Sequence, residues 1–227
     1  MKKVITLIVG TVATLQSFSQ LALGVQGTGN LSDAKIEAAD LYSPTKKTRV
    51  LPGAGIVADV TLSPSLMLRT GLNYQQQGIT IKATFPGVPG EIDEIRSEAK
   101  LNLQYLQIPL NILYTTKGTT QFYFGGGPYI SVGVSGNSKV VTTYKFSDGS
   151  TETEKEESNV FEKDEEGNRM FNRTDYGVGA IAGLKLPGGL FANVGYQYSF
   201  ANLSKDEEST YRNRGLQLTV GYYLWRR

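Results

Sequence analysis

The chain has no cysteine and no histidine among its 227 residues. Without cysteine there is no disulfide framework and no thiolate metal site. Without histidine the commonest metal ligand and the commonest general base near neutral pH are both missing. Ser–His and Cys–His nucleophile pairs are therefore excluded, and the sequence reads as non-enzymatic, with no cofactor and no metal. An excess of one charge is lacking too. Twenty-three basic residues stand against 21 acidic ones, and Lys2 and Lys3 account for the whole net +2. That balance excludes the basic face a nucleic-acid binder needs. Long apolar runs are also absent. Past Gln20 nothing approaches the ~20 residues of a spanning helix, so membrane residence is open only to a barrel.

The amino terminus reads as an export signal. Lys2 and Lys3 form a positive start, Val4–Leu15 a short apolar stretch, and Ser17-Phe18-Ser19 a small-residue cleavage site. A membrane anchor would need a longer apolar run. The expected division is a signal peptide over 1–19 and one barrel domain over 20–227.

What the chain does have is glycine (26), tyrosine (13) and a rhythm of turns. It divides into eight strand-length segments whose connections run alternately long and short. The long ones are Asn30–Arg49, Lys82–Lys100 and Ser138–Asn172, with a moderate Leu203–Thr210. The short ones are Ser63–Ser65, Lys117–Thr120 and Pro187–Gly189. A barrel inserted from the periplasm has that asymmetry, because only its far end faces outward. Strict period-two alternation marks the last segment, where Leu216, Leu218, Val220, Tyr222 and Leu224 oppose Gly215, Gln217, Thr219, Gly221 and Tyr223. The polar face is Gly-, Asn-, Gln- and Thr-rich, which suits a crowded hydrated interior. Tyr74, Tyr114, Tyr198 and Tyr222 sit where interfacial girdles fall. The expected fold is all-β, an eight-stranded antiparallel up-and-down transmembrane β-barrel. One segment departs from simple alternation. Leu101, Leu103 and Tyr105 share odd parity while Leu106 to Tyr114 share even parity, which predicts a bulge near Tyr105–Leu106. Pro109 within it cannot donate to a ladder.

Several phrases resemble the outer-membrane β-barrel, or porin-family, proteins of Bacteroidetes type. They are Leu21-Ala-Leu-Gly24-Val-Gln-Gly27, Tyr105-Leu-Gln-Ile-Pro109-Leu, Phe122-Tyr-Phe-Gly125-Gly-Gly-Pro128-Tyr and Gly221-Tyr-Tyr-Leu-Trp225. The resemblance spans the mature chain. It implies an outer-membrane barrel with periplasmic termini, tolerance of a proline at 109, and no single activity; some members resemble secretion-associated barrels such as PorT. It also implies that barrel-assembly machinery reads Trp225 as a terminal signal, although Arg226 and Arg227 follow it here.

Three charges project inward by parity: Asp59, Arg69 and Lys185. The turn Ser63-Pro64-Ser65 sets Asp59 opposite Arg69, predicting a lumen ion pair with Lys185 as a further lumen charge. Such a pair reads as a plug, and alternatively as an ion-selective constriction. Arg212 and Arg214 have lipid-facing parity at the extracellular end of the last strand, where outer-membrane lipid and glycolipid phosphates are candidate contacts. The acidic 138–172 connection reads as a solvated loop or as a hairpin extending the flanking strands, with its acidic run near the tip. Asp164-Glu-Glu-Gly167 lacks the spaced ligands of a calcium loop. Gly177-Val-Gly179-Ala-Ile-Ala182 matches a dinucleotide fingerprint by letters, but within a strand with no helix after it. The sequons at Asn30, Asn172 and Asn202 carry little weight in a bacterial exported protein. The function expected is a closed scaffold whose extracellular loops make surface contacts; a narrow solute channel and a PorT-like accessory are the alternatives.

Overall fold

A computed structural model describes residues 20–37, 45–88, 90–162, 169–206 and 209–226. The expected signal peptide, the Asp164–Gly167 stretch and Arg227 lie outside the described residues. The strands are β1 (Leu21–Glu37), β2 (Thr45–Ser63), β3 (Leu66–Pro86), β4 (Ile92–Thr115) and β5 (Gln121–Phe146). They continue with β6 (Thr151–Asn159), β7 (Thr174–Lys185), β8 (Leu190–Ser199) and β9 (Thr210–Arg226). The sheet runs β4-β3-β2-β1-β9-β8-β7-β5-β6, and β4 pairs β5, so eight strands close a ring. Every pairing is antiparallel. The fold is an eight-stranded antiparallel up-and-down barrel, and β6 stands outside the ring.

Alternation decides which way each side chain faces. Leu106, Ile108, Leu110, Ile112 and Tyr114 point out of β4, while Leu103, Tyr105, Gln107, Asn111 and Leu113 are buried inside. The same outward apolar series recurs at Val178 on β7, Val194 on β8 and Leu218 on β9. No soluble sandwich would leave such a band uncovered. From Leu106 to Tyr114 the strand rises roughly 26 Å at ~3.3 Å per residue, enough to cross a thin hydrocarbon layer at a ~40° tilt. Aromatics edge the band: Tyr114, Phe122, Phe124, Tyr222 and Trp225 toward one rim, Tyr176, Tyr196 and Phe200 toward the other.

The two ends of the described chain and the three tight turns gather at one end, where Gln20, Pro64, Gly118, Pro187 and Arg226 border one vestibule. At the other end the connections are shorter than the sequence suggests, because the strands continue through them. β1 extends to Glu37, β2 starts at Thr45, β3 runs to Pro86 and β4 starts at Ile92. Within the 138–172 stretch, residues 138–159 form a hairpin, with β5 turning at 147–150 into β6. Its acidic residues Glu152, Glu154, Glu156 and Glu157 lie along β6 rather than at the tip. A crossing needs about 10 residues. β7 and β8 have 12 and 10, whereas β3, β4 and β5 have 21, 24 and 26. The barrel therefore carries a sheet projecting from one side only.

The bulge expected in β4 is not there. Odd residues from Leu101 to Thr115 all face inward without interruption. The register shift between β4 and β5 falls at Gln104/Tyr105, and the extra residue is on β5, where Ser135 pairs Gln104 and Gly133 pairs Tyr105. What changes along β4 is what its inner face meets, not which way it faces. Pro109 falls in a gap of the β3–β4 ladder between Thr70↔Leu110 and Asn73↔Gln107. Its carbonyl still accepts the Thr70 hydroxyl at 2.8 Å.

Candidate functional site

The lumen is filled in three layers. Nearest the tight turns is a charged cluster. The turn joining β2 to β3 is two residues long, but a register shift at Leu62 restores the pairing of Asp59 with Arg69. The guanidinium grips the carboxylate with two bonds, Nε to Oδ1 at 2.7 Å and Nη2 to Oδ2 at 2.9 Å. Arg69 also donates to the hydroxyls of Tyr123 at 2.8 Å and Tyr223 at 2.7 Å. Tyr223 in turn donates to Asp59. Lys185 reaches Asp59 Oδ2 at 2.8 Å, and Asn193 donates to Tyr123 at 3.1 Å. The guanidinium plane sits 4.4 Å from the Tyr123 ring centre and 5.0 Å from that of Phe191. Asp59 and Arg69 are 2% and 4% exposed. A buried ion pair survives when its remaining donors and acceptors are met, and here six strands contribute to meeting them. Below the cluster opens the vestibule, about 670 Å³, which Lys185 and Arg226 border.

The middle layer is amide and hydroxyl. Gln217 donates to Gln75 and Gln197 at 3.0 Å each, Gln26 to Asn73 at 2.8 Å, and Thr28 meets Thr219 at 3.0 Å. The cavity left among them is about 40 Å³. That is room for a few waters and not a continuous path.

The third layer corrects the expectation of a polar interior throughout. Ile79, Leu101, Leu103, Tyr105 and Tyr211 line the upper lumen, and Val160, Phe161, Ala201 and Leu203 fold in from the connections to complete a buried apolar cluster. Phe161 rests on glycines: a Cβ at Gly133 would lie 2.5 Å from its ring and one at Gly136 2.9 Å. Its ring meets Tyr105 edge-on at 6.2 Å, and Arg173 donates to its carbonyl at 3.3 Å. Odd-parity Leu101, Leu103 and Tyr105 are apolar because they face this cluster. The sequence reading also missed an inward charge. Asp175 is fully buried beneath the cluster, accepting from Ser199 at 2.5 Å and Asn213 at 2.9 Å. It lies just past the Ser138–Asn172 connection, and the inward parity it shares with Gly177 would have found it.

The remaining sequence candidates lie apart. Arg214 sits opposite Asp33 across β1–β9 and is bridged to it at 2.6 Å, while Arg212 pairs in register with Lys35. The structure does not bring either near the lumen cluster. Trp225 is half-exposed at the end of β9 beside Leu23, and Arg226 donates to the Pro187 carbonyl at 3.3 Å. The glycines 177–183 lie within β7 with no helix following. On the projecting sheet, hydrogen bonds from Lys82 and Lys100 hold the Glu98 carboxyl down to about 2. Lys139 likewise lowers Glu157.

Residues 16–205 match the family model described as outer membrane protein beta-barrel domain. The match covers most of the chain, and the chain belongs to that family. Among solved structures it is similar to Ail, the attachment invasion locus protein of Yersinia pestis. Identity there is 11%, covering 90% of this chain and 99% of that one, with a TM-score of 0.36. It is also similar to Neisserial surface protein A, at 14% identity over 88% of this chain and 96% of that one, with a TM-score of 0.37. No curated protein matches the chain.

Proposed function

We propose that this outer-membrane barrel, of the Bacteroidetes type its strand motifs resemble, is a closed, non-enzymatic scaffold that displays a β-hairpin for contacts at the cell surface. One observation carries the reading: the lumen is filled at both ends. The Asp59–Arg69–Lys185 cluster with its two tyrosines blocks the tight-turn end. Phe161 and its neighbours fill the other. Interior side chains are expected to fill a barrel of eight strands, so the charged group acts as a plug rather than a selectivity constriction. The central cavity of about 40 Å³ gives the narrow-channel alternative no support. Surface contact falls to the β5–β6 hairpin, whose β6 lies outside the ring and which extends beyond the lipid-facing band. Its outer edge pairs with no other described strand, and such an edge is a ready template for an added strand. In this reading the chain is exported by a cleaved leader, and assembly machinery reads Trp225.

Planar-bilayer recording of the refolded barrel tests it. The expected record is a closed baseline. A large, steady conductance from the wild-type protein would reject the plug and restore the channel, whereas recovery of the barrel bound to periplasmic secretion components would favour the accessory role.

A further inference from the structure

We propose that the outer face of the projecting sheet is a binding surface for the phosphate-bearing headgroup of an outer-leaflet glycolipid. Alternation continues above the apolar band, so the side of each strand that faces lipid lower down becomes the outer face higher up. On β4, Leu106 gives way along that side to Lys100, Glu98 and Arg96; on β3, Tyr74 gives way to Lys82. The register sets Lys82 against Glu98, Lys100 against Lys139, Glu94 against Lys145, and Val141 against Lys155. On β3 to β6, Lys82, Arg96, Lys100, Lys139, Lys145 and Lys155 thus share one face with Glu94, Glu98 and Glu157.

The other face has the opposite sign. Glu152, Glu154 and Glu156 pair with Tyr144, Thr142 and Val140, whose parity is that of lumen-facing Gly136. The Tyr144 hydroxyl meets Glu154 at 3.3 Å on that side. The near-neutral chain conceals a sheet whose charge is sorted by face.

Lys82, Arg96 and Lys100 border a concavity of about 360 Å³ on the outer face, completed by Thr84, Val141 and Thr143. Glu98 occupies part of its charge, bridged to Lys82 and to Lys100 at 2.9 Å, and Arg96 reaches Glu94 at 2.8 Å. The cations outnumber these partners, and the excess suits an anion with several oxygens. Height and continuity identify the source. Lys100 stands roughly 20 Å along β4 from Leu106, or about 15 Å along the membrane normal at a ~40° tilt. That is above the acyl chains and within the sugar-phosphate layer of a glycolipid packed against the same strands. This inference rests on the proposed orientation, with the long strands outside.

The test reconstitutes the full barrel into phosphatidylcholine vesicles containing lipopolysaccharide, either intact or dephosphorylated. The lipopolysaccharide retained per barrel after mild detergent extraction is then measured. Wild type should retain the intact form about tenfold over the dephosphorylated one, less so at high salt. The combined Lys82→Gln, Lys100→Gln, Lys139→Gln variant should fall to the dephosphorylated level, and the matching Lys→Arg variant should not. Heat-modifiable migration verifies that each variant is folded. Retention unchanged in the glutamine variant, or equal for both lipopolysaccharides, overturns the proposal. So does a loss of retention when Glu152, Glu154 and Glu156 on the other face become glutamine. Protease cleavage of the β5–β6 hairpin on intact cells tests the orientation separately, since retention in vesicles does not depend on it.

Discussion

Asp59 illustrates how one carboxylate can hold several strands. It accepts from Arg69, Lys185 and Tyr223, so its removal leaves two cations facing each other in a buried site. Truncating one partner of a buried pair costs about 3–5 kcal/mol, mostly the penalty for the stranded charge. Asp59→Ala should therefore lower the unfolding free energy of the refolded barrel by that amount in a urea titration. Asp59→Ala combined with Arg69→Met should cost clearly less than the sum of the two single changes, because the second change removes the charge the first strands. Tyr223→Phe, which deletes one hydroxyl that both donates and accepts here, should cost about 1–3 kcal/mol. Strict additivity across the Asp59 and Arg69 variants would mean that the two side chains do not act as a unit.

At the scale of elements, legibility tracks contrast between the two faces of a strand. Leu216 to Leu224 alternate against glycine, glutamine and threonine, so β9 could be read directly through the band. Arg212 and Arg214 face outward beside Asn213 and Tyr211, and the strand begins at Thr210, where the Leu203–Thr210 connection was expected to end. Lower contrast hides the extensions of β3 and β4, which carry Lys82 and Glu98 outside and Ala83 and Ala99 inside. The apolar cluster was illegible for another reason: Phe161 is distant in sequence from Gly133 and Tyr105, and no periodicity announces that a connection folds into the lumen. Its importance can be measured. Phe161→Ala should cost about 3–5 kcal/mol if the space it leaves does not collapse. Gly133→Val should cost as much without changing the ring at all, since a Cβ there collides with it. Excising residues 141–155 with a short glycine bridge should leave the barrel folded and heat-modifiable, because β6 is no part of the ring. A large stability loss on that excision, with little from Phe161→Ala, would place the holding interactions in the hairpin instead.

The whole molecule is organised by an inverted partition at the height of the lipid-facing band, with apolar side chains outward and charged and amide layers inside, and a depth-dependent substitution series tests that arrangement most directly. Leu110 faces outward at mid-height on β4, 48% exposed between Ile108 and Ile112. Leu224 also faces outward, at 70%, but at the rim with Trp225 and Arg226 beside it. In water both would be exposed leucines, and arginine at either position would cost little. In a bilayer the cost depends on depth, about 2–4 kcal/mol at the midplane and ~0–1 near the interface, where the long side chain reaches headgroups. Leu110→Arg should therefore destabilise the barrel in lipid vesicles by that larger amount and Leu224→Arg by the smaller. Leu218→Arg, on the opposite wall, should follow Leu110→Arg. The contrast should shrink in short-chain detergent, which thins the apolar belt. A chain in which all three substitutions proved equally harmless in vesicles could not have its β4 and β9 faces against acyl chains, and the closed ring, however well paired, would then have to belong to a different surrounding.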